Sequence, residues 1–195
     1  MSSPQQVRDI TLESLLSQKK SAIVKKWFNA ILETYPAETA KFLSSQKNQF
    51  ANPVGSTVSH GIENIFQELL QAQGIDPEKV SPFLDKIIRI RAIQDFSPSQ
   101  AVAFVFFLKK VIREVLAFDI QKNQLSEELL ALEARIDDLA LLSFDIYMKC
   151  REKLYELRAN DVINGTYLLL KRAKLMCETP EPGSDHKDDH INSLT

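Results

Sequence analysis

The chain has 195 residues, 44% hydrophobic and 26% charged, with a net charge of −2. That length and balance suit one ordinary domain with a sizeable core, and the near-neutral charge argues against a dedicated nucleic-acid binder, which is normally basic. Only five glycines occur, too few for a fold that turns through many hairpins, so helices are favoured.

Residues 1–10 read as a flexible start, and Thr11 then precedes LESLLSQKKSAIVKKWFNAILETY. In that segment Leu12, Leu15, Leu16, Ile23, Trp27, Ile31 and Leu32 form a helical stripe with lysines between them. Pro36 opens a short helix, AETAKFLSS, because proline suits a first turn. Asn52-Pro53, Asp76-Pro77 and Ser97-Pro98 then repeat one device, a capping side chain followed by proline at the first helical position. Ser97 adds Gln100 to make a capping box. These starts predict helices over 53–72, 77–93 and 98–122. Ser126 begins a last pattern that meets no proline until Pro180, with a seam of Leu129, Leu132, Ile136, Leu139, Ser143, Ile146 and Cys150. Asn164-Gly165 is its weak point, where a bend or break is expected. No segment alternates with period two, so the fold class is all-α. One helical domain over 11–177 is expected, followed by a disordered acidic tail over 178–195.

Few residues offer chemistry. His60 is the one histidine in the helical part and flanks the stripe formed by Val54, Val58, Ile62, Ile65, Phe66, Leu69 and Leu70. It reads as a boundary residue, with ligand contact or proton sensing as the alternative. No second motif supplies a nucleophile or an oxyanion donor beside it, so no enzyme activity is expected. His186 and His190 stand four apart among carboxylates, but nothing holds that segment as a helix, and a solvated tail is the better reading than a metal site. Asp137-Asp138 reads as a solvated face. Cys150 and Cys177 lack metal or redox spacing and read as reduced thiols of a cytoplasmic protein. The longest apolar run, Ala101 to Leu108, is far short of the roughly 20 residues that span a bilayer, and the amino terminus has no signal-like core, so no membrane insertion is expected.

Phe96, Phe104, Phe106, Phe107 and Phe118 invite a pocket reading. Apolar residues on both sides of that helix predict a central element buried nearly all round. A small hydrophobic ligand near Phe104 and Phe107 is the alternative to plain core packing. Gly55 and Gly61 are expected to permit close helix approach.

Ile23 to Val58 carries Val-Lys-Lys-Trp-Phe, then Glu33-Thr34-Tyr35-Pro36, then Phe50-Ala51-Asn52-Pro53-Val54-Gly55. On these motifs the chain resembles the amino-terminal domain family of RsbRD-type RsbT co-antagonists, over about residues 12 to 158. The resemblance implies a globin-like bundle without haem. It also implies the sensory half of a stress-signalling protein, joined in longer members by a long helix to a STAS domain. Only the acidic tail follows the last helix here, so a free-standing module is expected. The segment Pro77 to Phe96, where a proximal haem ligand would sit, has no histidine, cysteine, methionine or tyrosine. No cofactor is therefore expected.

Two functional readings follow. One is a non-enzymatic regulatory sensor or interaction domain of the stress-signalling type, a homodimer paired through Leu154, Leu157, Val162 and Leu168. The other is a small accessory subunit docked on a redox enzyme complex.

Overall fold

The computed structural model describes residues 10–45, 50–71, 74–94 and 96–173; the expectations for residues 1–9, the acidic tail, Cys177, His186 and His190 fall outside them. Among the described residues there are six α-helices and no strand: α1 (Leu12–Leu32), α2 (Ala37–Ser45), α3 (Pro53–Leu69), α4 (Pro77–Ile93), α5 (Pro98–Asn123) and α6 (Ser126–Arg172). The all-α reading holds, and the proline-marked starts fall where the caps place them. The chain divides into two compact units, one reaching Lys153 and the other beginning at Leu154.

The caps are local and specific. Thr11 accepts a hydrogen bond from the Ser14 amide, Asp76 from Glu78, and Ser97 from Gln100 in a complete capping box. Asn52 does more than cap. Its Oδ1 accepts from the Gly55 amide at 2.8 Å while its Nδ2 donates to the Leu43 carbonyl at 2.7 Å, tying α2 to the start of α3. That side chain is buried, and a Cβ at position 55 would collide with its amide. Gly55 therefore makes room for its own cap rather than for a neighbouring helix, which corrects the expectation of helix approach there. At Gly61 the expectation holds: a Cβ would lie 2.8 Å from Ile87 Cδ1, so α3 and α4 touch closely at this point.

In the first unit α1 and α5 lie antiparallel along each other, and α3 pairs with α4. Lys19 meets Asp119 at 2.7 Å and Lys26 meets Glu114 at 2.9 Å along the first seam. Between them Ile23, Trp27 and Ile31 are fully buried, and the Trp27 indole donates to the Phe104 carbonyl at 2.6 Å. The first part of α6 covers the bundle with Leu129, Leu132, Ile136, Leu139, Ser143, Tyr147 and Cys150, with Ile146 half-buried beside them. Its Glu128 carboxylate accepts from the Leu12 amide at 2.7 Å, an anion placed at the positive end of α1.

Two expectations fail. The helix α5 is not buried all round: Phe106 is 47% and Phe118 72% exposed. A helix packed by neighbours on some sides leaves the remainder to solvent, and here Lys109 and Lys122 extend over those two rings at 5.9 Å and 5.8 Å. Nor does α6 break at Asn164-Gly165; it runs helical through both. A lone glycine in a helix costs only about 1 kcal/mol, and no proline removes a backbone hydrogen bond there.

One ion pair between α5 and α6 sets a pH dependence. Arg113 Nε and Nη2 grip the two Glu133 oxygens at 2.6 Å and 2.8 Å. These hydrogen bonds hold the largely buried Glu133 carboxyl below its usual range, against the opposing effect of burial. A carboxyl with a depressed folded pKa contributes stability above its unfolded value, near pH 4.3, and loses it as pH falls through the folded value. The gap in melting midpoint between the native chain and Glu133→Gln should thus be steady near neutrality and shrink below about pH 4. A gap that does not change down to about pH 3 would contradict this.

Candidate functional site

His60 projects from α3 into solvent and lines a cleft of about 280 Å³ with Ser56, Thr57, Gly61, Phe83 and Lys86. The missing side chain at Gly61 and the close approach of α4 shape it. The imidazole meets the Phe83 ring edge-on at 6.1 Å, and its Nε2 lies 3.3 Å from Asn64 Nδ2. Asn64 also donates to the His60 carbonyl at 2.7 Å. The cleft thus presents two hydroxyls, an imidazole and an ammonium around one aromatic face. Neither Ser56 nor Thr57 is hydrogen-bonded to the imidazole, so no nucleophile and base are paired there. Among the described residues no group of three His, Cys, Asp or Glu side chains is placed to hold a metal.

The residues grouped with His60 on sequence lie elsewhere. Phe104 is fully buried, its ring stacked on Trp27 with centroids 6.4 Å apart, and Phe107 packs half-buried against the core. Neither lines the His60 cleft.

The second unit carries the other candidate residues. Leu157 is 50%, Val162 68% and Leu168 55% exposed, and Leu154 is half-exposed. At about 100° per residue, Leu154, Leu157 and Leu168 share one side of the helix. Val162 sits roughly a third of a turn away, in line with Tyr155 and Leu169. Four residues read as one face therefore form parts of two.

Sequence reasoning passed over Arg91. It follows Leu84, Ile87 and Ile88 at spacings of seven, four and three, which puts a charged residue on the buried stripe of α4, and that misplacement was the available signal. The side chain is 0% exposed. Nη2 donates to the Gln100 carbonyl at 3.0 Å and to Thr34 Oγ1 at 3.2 Å, while Nε and Nη1 have no hydrogen-bond partner. Three rings surround the guanidinium: Phe96 at 4.1 Å, Tyr35 at 5.5 Å and Phe104 at 5.9 Å. Burial pulls the Arg91 pKa down, with the nearby phenol opposing. Burial also pushes the Tyr35 phenol up, against the pull of the Arg91 cation. The Tyr35 hydroxyl lies beside that cation without reaching hydrogen-bond geometry and is itself buried without a partner.

A family model described as the RsbT co-antagonist protein rsbRD N-terminal domain matches residues 21–162. The chain belongs to this family. The match takes in the His60 cleft, Arg91, Phe104, Leu154, Leu157 and Val162 and stops short of Leu168. An uncharacterized protein of Archaeoglobus fulgidus is similar to this RsbRD amino-terminal domain protein, at 23% identity over 147 residues, 73% of this chain and 83% of that one. No solved structure matches it. The RsbRD amino-terminal family is a signalling family, and among the described residues no helix is long and apolar enough to cross a membrane.

Proposed function

We propose that this protein is a non-enzymatic regulatory module of the RsbT co-antagonist type, which works by pairing with a second copy through the helix from Leu154 to Arg172 and by binding a protein partner. The observation that carries this reading is the exposure of apolar side chains along that segment. Tyr155, Leu157, Val162, Ile163, Tyr167, Leu168 and Leu169 are each at least 50% exposed. Covering each of the large ones would contribute roughly 1.5–3 kcal/mol, and patches of this kind mark interaction surfaces. Symmetric pairing is the commonest way for a soluble protein to cover such a face. The family membership supports the regulatory part of the reading, because domains of this family serve signalling.

Light scattering during gel filtration tests it. At tens of micromolar the full chain should have twice its 22.2 kDa mass, and Leu157→Asp should return it to a single chain. A native protein that elutes as one chain would reject the pairing.

A further inference from the structure

The cluster around Arg91 has the composition of a ligand site. Two guanidinium nitrogens and one phenol hydroxyl, all buried, lack protein partners. Buried polar groups are almost always hydrogen-bonded, and three orphans together point at a common object. Among the described residues no carboxylate forms an ion pair with Arg91, so none of them balances the charge of this buried guanidinium. Phe96, Tyr35 and Phe104 wall it, and the first turn of α5 contributes the Gln100 carbonyl contact. The positive end of that helix favours negative charge nearby. The two free guanidinium nitrogens are donors and the phenol hydroxyl can donate beside them, in surroundings too apolar to favour an uncompensated charge.

We propose that Arg91 and Tyr35 form a binding site for a small monovalent anion, a halide or a carboxylate as small as formate. One buried cation balances one negative charge; a divalent anion would leave an excess charge in an apolar enclosure. A water molecule would satisfy donors yet leave the charge unbalanced, and it is the outcome the test must separate.

The melting midpoint of the full chain is followed at constant ionic strength while potassium gluconate, too bulky to enter, is replaced by potassium chloride or by potassium formate. Binding to the folded state alone gives a saturable rise in midpoint. Chloride and formate run as separate arms identify which anion chemistry is preferred. Tyr35→Phe keeps the ring and removes the hydroxyl, and it should weaken the half-saturating concentration roughly tenfold. Arg91→Lys keeps the charge but not the fork, and it should weaken both anions as well. Line broadening of chloride in NMR, relieved by formate, reports occupancy directly. Identical behaviour in gluconate, chloride and formate would overturn the proposal and leave a buried water. Loss of stability on Tyr35→Phe equal in all three salts would overturn it in favour of a direct Tyr35–Arg91 bond.

Discussion

Replacing Trp27 with alanine should cost about 3–5 kcal/mol, the usual range for a buried aromatic residue cut to alanine. Trp27 is fully buried at the seam of α1 and α5, its ring stacked on Phe104. Its indole N–H is also spent on the Phe104 carbonyl, so the substitution removes both apolar volume and a buried side-chain hydrogen bond across the seam. In a domain of this size that amounts to a fall in melting midpoint of roughly 6–20 °C. Trp27→Phe should lose much less, since most of the ring volume stays. A Trp27→Ala protein that melts within a few degrees of the native chain would show that the seam repacks and that the indole does not organise it.

The second large effect belongs to Asn52. Most N-cap replacements cost about 1 kcal/mol. Asn52→Ala should cost about 3 kcal/mol, because the buried Leu43 carbonyl loses its donor as well. Asp76 provides the control: it caps α4 through the Glu78 amide at 3.0 Å in an exposed setting. Chemical denaturation of Asn52→Ala and Asp76→Ala side by side gives the comparison. Equal losses would mean that the bond to Leu43 contributes nothing. Asn52→Asp should be damaging although aspartate is a good cap, since a carboxylate turned toward the Leu43 carbonyl has no proton to offer.

Both effects show what a single chain reveals on reading. The starts of α3, α4 and α5 were legible because a cap and a proline are local chemistry, complete within a few residues. The buried faces of α1 and α3 were legible because burial on a helix has a period. What Asn52 touches was not, since Leu43 comes from the preceding helix and its carbonyl leaves no trace in composition. Arg91 lay between these cases. Its place on the apolar stripe of α4 is visible, but its aromatic enclosure depends on Tyr35, Phe96 and Phe104 arriving from other segments. The exposed Phe106 and Phe118 were misjudged for a related reason. Apolar residues on two sides of α5 imply burial on two sides only if a neighbour exists for each, and neighbours are a property of the assembled bundle. The His60 cleft likewise owes its shape to Phe83 and Lys86 of α4 facing Gly61 across the gap, which no spacing within α3 records.

The antiparallel seam of α1 and α5 imposes an order of events on synthesis. Trp27 and the Phe104 carbonyl it bonds are 77 residues apart. At roughly 5–20 residues per second, the ribosome makes the second about 4–15 s after the first. Through that interval the side of α1 that carries Ile23, Trp27 and Ile31 lacks the helix that will cover it. The two arms of the seam must then close a long loop before their contacts reward it, which slows folding relative to a bundle built from sequential neighbours. The earliest helix made is therefore among the last to find its place, and the nascent chain presents an uncovered apolar strip to any holding factor at the tunnel exit.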